Sequence, residues 1–63
     1  MTLEEMIPLA QKGVKMTHLY FTPDEWLTME GDIIFFEDGV SIELDWFYDK
    51  EYLLTDWEEY KET

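Results

Sequence analysis

Residues 33–36 read Ile-Ile-Phe-Phe, residues 40–44 read Val-Ser-Ile-Glu-Leu, and Glu37-Asp38-Gly39 stands between them. Two apolar runs parted by Asp-Gly are the strongest short-range hairpin signal a sequence carries, because glycine accepts the positive φ of a tight turn. Val40, Ile42 and Leu44 alternate with Ser41 and Glu43. That alternation predicts an antiparallel strand with one buried and one wet face. Whatever else the chain forms must therefore pack on an antiparallel sheet.

The N-terminal segment supplies a partner for that sheet. Thr2-Leu3-Glu4-Glu5 has the spacing of a capping box, and Met6, Ile7, Leu9 and Ala10 follow it. Gly13 stands where a helix-ending glycine belongs, so a helix is expected over residues 3–12. Pro8 predicts a kink or a helix starting near that residue, because proline removes one backbone hydrogen bond and crowds the preceding turn. Beyond Gly13 the period changes to two: Val14, Met16 and His18 alternate with Lys15, Thr17 and Leu19, as in a short strand. Thr22-Pro23-Asp24-Glu25 reads as a turn or a single helical turn. Trp26-Leu27-Thr28-Met29 precedes the break Glu30-Gly31-Asp32. Residues 45–51 fit no template. Residues 52–55 suit a short helical turn or a crossover, and a last strand lies near Trp57–Tyr60. In YLLTDWEEYKET, residues 52–63, aromatic side chains alternate with Asp56, Glu58, Glu59 and Glu62, a pattern that suits an edge or closing strand protected by its charge. The expected fold is α+β: an N-terminal helix packed on a three- to four-stranded antiparallel sheet through Val40, Ile42 and Leu44. Residues 1–63 form one small domain, without repeat or linker.

A domain of this size buries only about 60% of the surface its unfolded chain exposes. No cysteine is present to form a disulfide. The eleven aromatic residues take over that role, each large ring burying about 150–250 Å². Self-association into a homo-oligomer, most simply a dimer, is expected as a second way to cover apolar area, against the like charge on every subunit. No apolar run approaches the roughly 18 residues of a membrane span, and no signal-peptide pattern opens the chain, so a cytoplasmic location is expected.

Sixteen acids face four lysines and no arginine, a formal net charge of −12. Such a surface repels nucleic acid and anionic lipid, whose binding needs Lys and Arg to displace counterions. It attracts basic proteins and steers encounter with them. The acids fall in pairs, among them Glu37/Asp38, Glu43/Asp45 and Asp49/Glu51. Glu43 and Asp45, placed in one strand, would project from one face roughly 7 Å apart. The plain reading of the charge is solubility. The sharper reading is a polyanionic face that mimics nucleic acid.

Catalytic side chains are scarce. His18 is the only histidine and Ser41 the only serine, so a nucleophilic triad has no specific support. The alternate positions before Gly39 are Ile34, Phe36 and Asp38, and those before Gly31 are Trp26, Thr28 and Glu30. Neither set matches a calcium loop. The expectation is no enzyme, no cofactor and no metal.

LEEMIPLAQKGVK (residues 3–15), Glu25-Trp26-Leu27 with the Asp38-Gly39 hairpin, and Leu53-Leu54-Thr55-Asp56-Trp57-Glu58 resemble the Thoeris anti-defence 2-like family of small phage and prophage proteins. Members of that family begin with an amphipathic helix ending in Lys-Gly-Lys and close on Leu-x-x-Asp-Trp-Glu. The resemblance implies an α+β fold, self-association and no catalysis. Some members sequester a cyclic ADP-ribose-type immune signal, and some inhibit CRISPR immunity. This chain is shorter, and it carries Met16, Thr17 and His18 where the family tends to place arginine. Without arginine, a phosphate-bearing nucleotide loses its natural donors.

Two functions follow as expectations. The first is an inhibitor of phage type that binds a basic host protein, one of defence or of nucleic-acid handling, through Glu43, Asp45, Asp56, Glu58 and Glu59. The second is capture of a small nucleotide-type ligand by Trp26, Trp57 and His18. Direct binding of nucleic acid or membrane is expected of neither.

Overall fold

The structure, a computed structural model, describes residues 1–61; Glu62 and Thr63, including the acid expected at position 62, lie outside the described residues. Helix α1 spans Leu3–Gln11. Five strands follow: β1 (Met16–His18), β2 (Leu27–Glu30), β3 (Ile33–Phe36), β4 (Ser41–Glu43) and β5 (Trp57–Glu59). A one-turn helix α2 (Asp45–Tyr48) and a 3₁₀ turn (Glu51–Leu53) fill the segment between β4 and β5. All strand pairs are antiparallel and the sheet order is β4-β3-β2-β1-β5. The α+β expectation holds, with five strands rather than three or four.

Local chemistry sets the ends of α1. The Glu5 N–H donates to Thr2 Oγ1 at 3.2 Å, and the Thr2 N–H donates to Glu5 Oε1 at 2.9 Å, closing the capping box. At the far end the Val14 N–H donates to the Leu9 carbonyl, and Gly13 at φ 90° turns the chain out of the helix. A side chain at that φ would be strained, which is why glycine ends the helix. Pro8 neither starts nor breaks it: the helix runs from Leu3 through Pro8 to Gln11. Pro8 and Glu4, whose carbonyl the missing N–H leaves unbonded, are both exposed, so the lost bond falls on the solvent side of the helix.

The cap also couples stability to pH. The hydrogen bonds from the Thr2 backbone, then from its hydroxyl, hold the Glu5 carboxyl below the usual glutamate range. A depressed carboxylate contributes stability above its unfolded pKa and loses it as pH falls through the folded value. Glu5→Gln should therefore melt below wild type at neutral pH, with the gap closing at pH values under the ordinary glutamate range. Paired thermal melts across that range read the difference directly and cancel the titration of the other acids.

Both hairpins are tight. Glu30 and Ile33 close the β2–β3 turn over Gly31 and Asp32, and Gln11 Nε2 donates to the Gly31 carbonyl at 3.0 Å, tying helix end to turn. Between β3 and β4 the three residues 37–39 form the loop, with the Phe36 N–H donating to the Val40 carbonyl and Gly39 at φ 89°. That positive φ is the one a three-residue hairpin assigns to glycine.

The helix packs on the sheet as expected, but over other strands than the one holding Val40, Ile42 and Leu44. It lies over β2, β1 and β5, while α2 covers β4. Leu3, Met6 and Ala10 meet Met16, Leu27, Met29, Ile34 and Trp57, and Phe47 and Leu53 close the core from the 45–53 segment. Val40 precedes β4 and is 52% exposed, beyond the reach of α1; Ile42 and Leu44 are partly buried. Rings staple this core. Trp57 stacks on Phe47 at 5.6 Å and 18° and meets Phe21 edge-on at 5.5 Å. The Trp57 Nε1–H donates to the Leu53 carbonyl at 2.6 Å, which satisfies its one polar atom.

Candidate functional site

All helical cover lies on one side of the sheet, the side of Met16, His18, Leu27, Met29, Ile34 and Trp57. Strand alternation sends the neighbouring side chains to the other side. That outer face carries Thr17 of β1, Thr28 and Glu30 of β2, Ile33 and Phe35 of β3, Ser41 and Glu43 of β4, and Glu58 of β5. Register then sets rows across the strands. Thr28, Phe35 and Ser41 form one row, and Glu30, Ile33 and Glu43 form another. Two carboxylates thus flank Ile33, roughly 10 Å apart at the ordinary strand spacing. Phe35 is 37% and Ile33 36% exposed. On the far edge Thr17 pairs with Glu58.

At the β2–β1–β5 end the outer face gains two more rings. Trp26 immediately precedes β2 and Tyr60 immediately follows β5, and the Tyr60 N–H donates to the Lys15 carbonyl. Their ring centroids are 6.4 Å apart at 47°, and Lys15 Nζ lies 4.5 Å from the Trp26 ring centre. Both rings are half-buried.

The acids singled out from the sequence do not form one surface. Glu43 ends β4, whereas Asp45 is the first residue of α2, so the two do not share a strand or a face set by its alternation. The chain turns at Leu44, whose backbone is already helical. Asp56 sits before β5 at φ 70°, the only left-handed non-glycine among the described residues. Glu58 points to the outer face, and Glu59 follows the parity of Trp57 but is exposed. Glu43 and Glu58 therefore occupy the outer face from opposite edge strands. Glu30, Ile33, Phe35 and Tyr60 join them, and their charge or spacing alone does not assign them to this face. Ile33-Ile34-Phe35-Phe36 is apolar throughout, so only the pairing with β2 and β4 reveals which of its side chains face outward.

The proposed aromatic ligand set separates as well. His18 is 3% and Trp57 2% exposed, with ring centroids 4.9 Å apart, and Trp26 is on the opposite face. His18 Nδ1 accepts the Tyr20 N–H at 3.1 Å, which leaves Nε2 to donate to the Thr55 carbonyl at 2.7 Å. Tyr20, Phe21 and Tyr52 also pack around this ring. Both ring nitrogens are therefore occupied by backbone partners.

A groove of about 850 Å³ runs beside β5, bounded by Met1, Leu19, Phe21, Pro23, Glu58 and Lys61 among others. His18 and Trp57 abut it but present almost no surface to it. Part of the β5 edge there is taken: the Trp57 N–H donates to the Met1 carbonyl at 2.9 Å, and the Met1 amino group donates to the Trp57 carbonyl at 2.7 Å. Among the described residues no group of three His, Cys, Asp or Glu side chains is placed to hold a metal ion. No helix among them is long and apolar enough to cross a membrane. Comparison with protein-family models, with curated proteins and with solved structures finds no match to this chain.

Proposed function

We propose that the protein is a non-enzymatic binding protein of phage-inhibitor type, whose outer sheet face receives a basic surface of a host protein. One observation carries this reading. The face left bare by the helices pairs half-exposed apolar side chains, Ile33, Phe35, Trp26 and Tyr60, with the carboxylates of Glu30, Glu43 and Glu58. Apolar contact supplies adhesion, and the carboxylates select lysine and arginine and steer their approach. The net charge of −12 makes a second copy of the chain a poor occupant of the same face. The two carboxylates of the Glu30–Ile33–Glu43 row, held on a stiff sheet, also support the nucleic-acid-like character read from the sequence. The nucleotide-capture reading is less well served, because Glu58 and Glu59 line the β5 groove and oppose phosphate.

Titrating isotope-labelled protein with a lysine- and arginine-rich polypeptide tests the proposal. Amide shifts should centre on Thr17, Thr28, Phe35, Ser41 and Glu58, and binding should weaken steeply as salt shortens screening to about 8 Å. Shifts produced instead by adenine nucleotides, centred on Leu19–Pro23 and indifferent to salt, would transfer the function to the groove.

A further inference from the structure

We propose that a second copy of this chain pairs antiparallel with the open edge of β4, joining the sheets of the two copies into one. The inference goes beyond the binding reading above and does not depend on it, because the edge and the outer face are different surfaces.

Ladder geometry leaves that edge open. Antiparallel partners alternate between residues that exchange both backbone bonds and residues that exchange neither. The Phe36 N–H donates to the Val40 carbonyl and the Leu44 N–H to the Asp32 carbonyl, so Val40, Ile42 and Leu44 are the residues whose backbones face β3. The N–H and C=O groups of Ser41 and Glu43 therefore point the other way, along the free side of the last strand in the sheet. Edge groups of this kind are a template for another strand. The opposite edge differs, since Met1 takes both backbone groups of Trp57.

Side chains select the occupant and the register. A two-fold axis makes an edge contact self-complementary, residue i meeting j and j meeting i. Pairing Glu43 with Glu43 opposes like charges directly, which destabilises a strand pair, and runs into α2 at Asp45. Pairing Ser41 with Ser41 runs into the turn at Gly39, whose φ is 89°. Pairing Ser41 with Glu43 uses the whole strand, lets both pairs exchange their bonds, and sets each carboxylate beside a hydroxyl donor instead of its own image. On the helix-bearing side it sets Ile42 against Ile42 and brings Val40 to Leu44 of the second copy. Val40 is 52% exposed although it has the parity of Ile42, so the second copy supplies the cover that α1 does not reach. The two Glu43 residues then fall on a diagonal about 7–8 Å apart, and each copy carries a net charge of −12. The contact is short beside the about 1,200 Å² at which stable interfaces begin. The dimer therefore exchanges with monomer and gains population as salt screens the like charge.

Sedimentation equilibrium from the micromolar to the millimolar range, at low and high salt, tests the proposal together with amide hydrogen exchange. Average mass should rise with concentration and with salt, the reverse of the salt response of a basic partner on the outer face. The Ser41 and Glu43 amides should gain protection as the dimer fills. Ser41→Pro removes an outward N–H from the first residue of an edge strand, where proline is tolerated, and should weaken association by about ten-fold or more. Ser41→Lys should instead strengthen it by about three- to ten-fold, since each ammonium meets Glu43 of the second copy. Thr55→Lys makes the same charge change at an exposed site leading into β5, the opposite edge strand, and measures the share due to net charge alone. Monomer mass throughout the range at high salt overturns the proposal, as does a dimer whose protection appears elsewhere. Protection of Ser41 and Glu43 only on adding a foreign peptide would give the edge to another chain and overturn it too. Ser41→Lys matching or falling below Thr55→Lys rejects the register, and the proposal with it, even if Ser41→Pro proves too unstable to measure.

Discussion

Trp57→Ala is expected to leave most of the chain unfolded in water at room temperature. Trp57 is 2% exposed and ties four segments together: Phe47 by stacking, Phe21 and His18 edge-on, and the Leu53 carbonyl by its indole N–H. Truncating a buried aromatic side chain to alanine costs about 3–5 kcal/mol. A domain of this length has roughly 3–9 kcal/mol in total, at about 0.05–0.15 kcal/mol per residue. The loss is therefore comparable to the whole stability. Trp57→Phe keeps a ring against Phe47 but leaves the Leu53 carbonyl without its donor, at a cost of about 1–3 kcal/mol. Urea titrations followed by far-ultraviolet circular dichroism separate the two. A cooperative transition in Trp57→Ala at a midpoint near wild type would contradict the central place given to this ring.

The same residue shows what could be read from the chain and what could not. Local signals survived folding: Thr2 with Glu5 does cap α1, Asp38-Gly39 does turn a hairpin, and Met16 and His18 do face inward together. Each depends on a few adjacent residues. Readings that needed to know what lies above the sheet failed. Val40 has the parity of Ile42 but lies past the cover of α1, so alternation alone could not tell that it is exposed. Phe47 and Leu53 are buried because the 45–53 segment covers the same side of the sheet as α1, and no periodicity announces a four-residue helix and a 3₁₀ turn. The candidate surface was legible in part. Glu43 and Glu58 stand out in the sequence by their charge, but their placement on one face arises from β4 and β5 forming the two edges of one sheet. Lys15, Trp26 and Tyr60 meet because β1 is inserted between β2 and β5. Sheet order is a global property, and nothing in the three local stretches encodes it.

Reversing Glu43 and Glu58 together to lysine should weaken association with a basic partner by roughly 100-fold. Both side chains are exposed on the outer face, one on each edge strand, so a bound basic surface spanning the sheet would meet both. Placing like charges against that surface costs on the order of 1–2 kcal/mol per site, and each 1.4 kcal/mol is a factor of ten. Much of the loss should lie in the association rate and shrink as salt rises, because the carboxylates act at long range during encounter. Folding should change little, since exposed charges away from caps and buried pairs contribute within about 0.5 kcal/mol. The comparison is Asp49 with Glu51, both exposed, which leave the net charge equally changed when reversed to lysine but belong to the α2 and 3₁₀ segment on the helix-bearing side. That pair should cost only a few-fold, the share due to the general field of the molecule. Surface-plasmon or stopped-flow kinetics at two salt concentrations resolve both terms. An equal loss in the two double variants would mean that net charge alone draws the partner, and no loss in either would reduce the acids to a solubilising coat. A large loss confined to Glu43 and Glu58 places the contact on the bare face of the sheet.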